Sequence, residues 1–177
     1  MPSTIILHDK VFQILFSQEE ISRKIKIMGE EITKIYGGQI PYFLIVLKGA
    51  TPFAMELTQA FSGECEWGFT KIKSYNGMEN GPPTIDFLEL PEKKDQPLII
   101  VEDIVDTGHT VSFLLEILAE KEFKNVKIAT LLFKPEKCQK NIAPDWVGFS
   151  IPPAFVVGFG LDFDNLGRNL PDIYVHK

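Results

Sequence analysis

The chain has 177 residues, 45% of them apolar and 24% charged, enough for one domain with a proper core and too few for two full domains. Its net charge of −6 argues against a non-specific DNA or RNA binder, whose affinity would come from Lys and Arg on phosphates; it suits small anionic substrates held in a local basic pocket. No run approaches the ~20 apolar residues of a membrane span, Met1 to Lys10 lacks the apolar stretch of a signal peptide, and Cys65 and Cys138 stand far apart without metal-ligand spacing. The expectation is a soluble cytoplasmic protein with reduced thiols.

In chain order, Ser17-Gln18-Glu19-Glu20 has the form of a capping box and predicts a helix running to about Tyr36, where Gly37-Gly38 supplies a stop. Tyr42 to Leu47 is a continuous apolar run rich in branched residues, as in a strand covered on both faces. Thr51-Pro52 opens a second helix, with proline at the first turn. Ser74 to Pro83, polar and rich in Gly and Pro, predicts a loop. Leu98 to Val101 and Val126 to Phe133 read as two more buried strands. Between them Val111, Leu114, Leu115 and Leu118 form a helical stripe from about Thr110 to Glu122. After Lys134, Pro135, Pro144, Pro152 and Pro153 break the chain into short strands and turns. The pattern is α/β, a mainly parallel twisted sheet flanked by helices.

The chemistry concentrates in Leu98 to Thr110, LIIVEDIVDTGHT. A buried strand is expected to end at Val101, so that Glu102 and Asp103 follow at its carboxyl end, where open α/β sheets bind ligands. Thr107-Gly108-His109-Thr110 then leads into a helix. Two hydroxyls, free backbone N–H groups and a positive dipole end make a phosphate cradle, and Gly108 lets the backbone come close. The acids suit vicinal ribose hydroxyls and a magnesium ion, with Asp106 between the phosphate and whatever the sugar carries. The same Asp and Thr residues would also serve as a plain helix cap.

The aliphatic strand, acid pair and Asp-Thr-Gly-x-Thr turn resemble the signature of the phosphoribosyltransferases for 5-phosphoribosyl 1-pyrophosphate (PRPP), and nearly the whole chain resembles the hypoxanthine-guanine type. Leu47-Lys48-Gly49-Ala50 is similar to the family's pyrophosphate loop, and Lys73-Ser74-Tyr75 to the start of its closing loop. Leu132-Phe133-Lys134-Pro135 resembles the strand end whose Lys reads the purine 6-oxo group. Phe155 to Asp162 resembles the base-stacking segment, and Arg168 the late Arg of the pyrophosphate side.

The resemblance implies one phosphoribosyltransferase domain over 1–177, with 1–15 and 135–177 forming a small hood over the base. It further implies that PRPP and a 6-oxopurine, hypoxanthine and/or guanine, are the substrates. Glu102 and Asp103 would hold ribose and magnesium, with Asp162 at a second magnesium, and Asp106 through Thr110 the 5-phosphate. Lys48, Gly49, Ser74, Tyr75 and Arg168 would meet pyrophosphate; Lys134, Phe155, Val156 and Asp162 would bind the purine. Asp106 would be the general base of a transfer through an oxocarbenium-like state. A homodimer or homotetramer, no nucleic acid and no membrane complete the expectation. Two alternatives stand beside it: a PRPP- or nucleotide-binding regulator on the same fold, and a different base. One departure is plain. Cys138 stands where the family usually carries an Arg four residues after the Lys, with Lys137 beside it.

Overall fold

The computed structural model describes residues 2–73 and 83–177. Ser74 and Tyr75, and the predicted loop up to residue 82, lie outside them. In chain order the elements are β1 (Thr4–Leu7), β2 (Lys10–Phe16), α1 (Gln18–Tyr36), β3 (Tyr42–Val46), α2 (Thr51–Ala60), β4 (Glu66–Lys73), β5 (Thr84–Leu88), β6 (Leu98–Val105), α3 (His109–Glu120), β7 (Val126–Phe133), β8 (Trp146–Ser150), β9 (Val156–Val157) and β10 (Ile173–His176).

Two sheets result. The larger has the order β5-β4-β3-β6-β7-β8, parallel throughout except for the antiparallel edge strand β5. Alternation along the central strands sends residues to opposite faces. Phe43, Ile45, Ile99, Val101, Ala129 and Leu131 pack with α1 and α2. Tyr42, Leu44, Val46, Leu98 and Ile100 pack with Val111, Leu114 and Leu118 of α3 on the other face. The smaller sheet, β1-β2-β10-β9, is antiparallel and joins the two ends of the chain around Phe12, Val157 and Tyr174.

The capping box forms as read. The Ser17 side chain accepts from the Glu20 N–H at 3.4 Å, and the Ser17 N–H donates to Glu20 Oε2 at 2.9 Å. Gly37 ends α1 without entering the left-handed region, its φ being −62°. A side chain there would press on the Thr33 carbonyl, to which the Gly37 N–H donates at 2.7 Å.

Two expectations are corrected. β6 does not end at Val101: it runs to Val105, because β7 continues to pair with it as far as Val105 opposite Phe133. The ladder with β3 stops at Ile45 opposite Val101, so Glu102 and Asp103 lie inside a strand that has lost its neighbour on one side. The segment 135–177 is also not all hood, since β8 extends the larger sheet beside β7. Its Trp146 is buried against α1, edge-on to Tyr36 at 6.4 Å.

The packing of α1 on α2 at Gly29 depends on the bare glycine, where a Cβ would come within 2.5 Å of the Ala60 Cβ. Gly29→Leu is expected to lower the unfolding free energy by about 2 kcal/mol or more in urea denaturation. The neighbouring exposed change Glu30→Leu should stay within about 0.5 kcal/mol.

Candidate active site

The turn after β6 has the geometry of an anion cradle. Gly108 precedes α3 with φ +81°, a left-handed conformation that a Cβ would strain. No side chain caps α3, so the helix-cap reading of Asp106, Thr107 and Thr110 is set aside. The first-turn N–H groups and the positive end of the helix dipole are left for a ligand. The turn is braced from outside by residues 138–142: the Gln139 N–H donates to the Thr107 carbonyl at 3.1 Å, and Cys138 and Ile142 pack beside Gly108. His109 is exposed at the start of the helix.

Just before it lies the acid pair. Glu102 is buried and its Oε2 has no hydrogen-bond partner. Burial first, and the charge of Asp103 second, push its carboxyl well above the ordinary glutamate range. Burial also raises Asp103, but less, since the neighbouring Glu102 carboxyl, then the Ile104 N–H donating to its Oδ1 at 2.8 Å, and then the charge of Arg168 oppose the shift. The 47–50 loop closes over this pair through a cis Leu47–Lys48 peptide. Asp103 Oδ2 occupies the space a Gly49 side chain would need, and Gly160 presses in turn against the Gly49 carbonyl. Lys48 is exposed.

The third feature follows from strand register. Val105 pairs with Phe133, so the next residue of each strand, Asp106 and Lys134, is brought side by side. Lys134 Nζ donates to Asp106 Oδ2 at 2.7 Å, with the Lys134 side chain 6% exposed. Lys137 reaches the same carboxylate, 3.1 Å from Oδ1 and 3.3 Å from Oδ2. Burial would raise Asp106, but the hydrogen bonds and charges of Lys134 and Lys137 outweigh it and hold the carboxyl below its usual value. The expected purine-reading Lys134 is therefore engaged with the expected base. Lys137 had appeared in the sequence only as a neighbour of the departure at Cys138; the missing signal was the β6–β7 register.

The 155–168 segment crosses from the smaller sheet to the acid pair. Phe155 is 46% exposed, edge-on to Phe163 at 5.5 Å and tilted against Phe12 at 6.1 Å. Val156 is buried in β9. Asp162 Oδ1 pairs with Arg168 at 2.6 Å, and its Oδ2 accepts from the Asn165 N–H at 2.8 Å. Arg168 also donates to the Gly160 carbonyl at 2.7 Å, which ties it to the glycine that packs on the 47–50 loop. Among the described residues no three acidic, His or Cys side chains gather as a metal-holding group. Glu102 and Asp103 fit a divalent cation by themselves: hard oxygen donors, adjacent, buried or half-buried, one without a partner. Among the described residues no helix is long and apolar enough to cross a membrane.

This arrangement of phosphate turn, acid pair and cis-peptide loop coincides with the match of residues 13–164 to the phosphoribosyl transferase domain model, and the chain belongs to the phosphoribosyltransferase family. Several similar proteins within it are hypoxanthine-guanine phosphoribosyltransferases. A hypoxanthine-guanine phosphoribosyltransferase of Lactococcus lactis is 42% identical over 173 residues, covering 97% of this chain and 94% of its own. That of Bacillus subtilis is 40% identical, covering 96% and 95%. The crystal structure of a hypoxanthine phosphoribosyltransferase from Staphylococcus aureus superposes with a TM-score of 0.86 at 33% identity, covering 93% of this chain and 91% of that one.

The raised carboxyl of Glu102 has a stability consequence. Above the ordinary glutamate range the unfolded chain gives up this proton more readily than the folded one, so stability falls as pH rises toward the folded value. In chelator at pH 8, Glu102→Gln should raise the unfolding free energy by about 1 to 3 kcal/mol. The gain should shrink as the pH approaches 4 in denaturation curves across that range.

Proposed function

We propose that this chain moves the 5-phosphoribosyl group of PRPP onto hypoxanthine or guanine and releases pyrophosphate, using residues gathered at the carboxyl ends of β3, β6 and β7. The observation that carries the assignment of roles is the contact of Asp106 with Lys134 beside the uncapped start of α3. A carboxylate and an ammonium beside a helix start with free N–H groups support reading them as proton acceptor and 6-oxo donor next to a phosphate cradle. The three relatives named above are phosphoribosyltransferases, which favours the enzyme over a regulator on the same fold.

In this reading the backbone of Thr107 to Thr110, with the two Thr hydroxyls, binds the 5-phosphate at the head of α3. Glu102 and Asp103 hold the ribose hydroxyls and a magnesium ion, which when bound neutralises charge on the departing pyrophosphate. Lys48, the Gly49 backbone and Arg168 face the pyrophosphate, with Ser74 and Tyr75 assigned to the same side from the sequence. Lys134 donates to the purine 6-oxo oxygen, and an amino group at that position would meet an ammonium instead. Phe155 stacks on the base, while the backbone of Val156 and Asp162 meets its edge. Asp162, paired here with Arg168, is assigned to a second magnesium ion.

In the transfer, the bond between the anomeric carbon and pyrophosphate breaks as the bond to the purine ring nitrogen forms. The ring proton passes to Asp106. Segments 1–15 and 151–177 act as the hood over the base, and the protein works as a cytoplasmic homo-oligomer.

Asp106→Asn keeps the size of the side chain and removes its basicity. Turnover should fall by roughly a hundred- to ten-thousandfold, while PRPP affinity in the presence of magnesium, followed by calorimetry, should change little. Near-normal turnover would take Asp106 out of the role of base.

A further inference from the structure

Among the described residues Asp106 is in ion-pair contact with two cations, and the proposed chemistry assigns a task to one of them. Lys134 comes from the buried end of β7. Lys137 comes from the turn that follows, and the backbone builds its position. The Lys137 and Cys138 N–H groups both donate to the Lys134 carbonyl, at 3.1 and 3.2 Å, so the chain doubles back over Lys134. The Gln139 N–H then pins the turn to Thr107. Lys137 thereby meets the Asp106 carboxylate with its own side chain half-exposed.

The other charged groups on these elements are Glu102 and Asp103 on the same strand, Lys127 of β7 paired with Asp145, exposed His109 at the head of α3 with Glu116 and Glu120 further along it, and exposed Glu136 and Lys140 on the turn. Lys134 and Lys137 are the two in contact with Asp106. A Lys134 ammonium drawn to a purine oxygen loses part of its 2.7 Å bond to Asp106 at the moment Asp106 must accept a proton. A partly buried carboxylate with its cation withdrawn tends to protonate, and a protonated one is no base.

We propose that Lys137 is a positioning residue for the transfer reaction, keeping Asp106 ionised and aligned while Lys134 turns to the 6-oxo oxygen of the purine. This rests on the reading of Asp106 as base and Lys134 as purine donor. The proton still travels from ring nitrogen to carboxylate, and Lys137 stays charged throughout.

The test measures kcat and KM from pH 5 to 9 with magnesium, PRPP and hypoxanthine, for the unaltered chain, Lys137→Met, Lys137→Arg and Asp106→Asn. Thermal unfolding at pH 5 checks that each variant is folded under assay conditions. Lys137→Met should move the acidic limb of kcat upward by about one pH unit, read as the shift in the pH of half-maximal kcat against the unaltered chain. KM for PRPP should hold, and Lys137→Arg should restore the limb.

An unchanged acidic limb in Lys137→Met overturns the proposal, as does a loss confined to KM for PRPP at every pH, which would make Lys137 a plain substrate contact. Asp106→Asn separates the two levels. If it keeps its turnover, the reading of the base fails. If it loses turnover while Lys137→Met behaves like the unaltered chain, the role of Lys137 alone is lost.

Discussion

The site depends on two parallel strands stopping in step. β6 and β7 run in register to Val105 and Phe133, and the next residue of each, Asp106 and Lys134, meets the other at 2.7 Å. A largely buried ion pair of this kind is weak evidence for stability, because taking an ammonium out of water costs about as much as the attraction returns. Apolar residues at both positions would fold as well. What the pair provides is a charged donor and a charged acceptor held at the rim of the sheet, each restraining the other. The chain leaves β6 for the phosphate turn and β7 for the 134–140 turn at that point, and Gln139 joins the two turns through the Thr107 carbonyl.

One turn of the strand earlier the electrostatics have the opposite sign. Glu102 and Asp103 lie in β6 where its pairing with β3 has ended, and Glu102 keeps an oxygen with no partner. Placed in a strand with neighbours on both sides, they would face only backbone and aliphatic side chains. At the opening, Asp103 meets the 47–50 loop, where the bare Gly49 makes room for it. Arg168 offsets part of the charge on Asp103 from the far end of the chain. Local rules of burial are broken here by two acids together, as is common where a ligand completes the arrangement.

Much of the frame was legible in the residues. The capping box at Ser17, the proline of α2, the stripe of α3 and the unbroken aliphatic runs of β3 and β7 each encode a local preference, and each element formed within a residue or two of its expected ends. The extension of β6 was hidden because two adjacent acids look like loop; tertiary pairing with the eight-residue β7 carried the strand through them. The smaller sheet was hidden for another reason. Its partners, such as Phe12 opposite His176, are separated by almost the whole chain, and β2 buries Phe12 alone among its residues. At the site, residue types and order pointed to the chemistry, while the Asp106–Lys134 contact needed a register that no single strand carries.

The departure at Cys138 takes on a physical meaning once the turn is seen whole. The turn after β7 does two things: it packs against the turn at Gly108 and presents positive charge toward Asp106. Cys138 does the first, its small side chain lying with Ile142 beside Gly108 as part of the apolar cluster on the α3 face of the sheet. Lys137 does the second, because the hydrogen bonds to the Lys134 carbonyl bring the residue before Cys138 back toward the carboxylate. A long cation at 138 would have to give up the packing against Gly108 to reach solvent or substrate. In this chain the charge sits one position earlier, and the contact it makes is with Asp106, the proposed base.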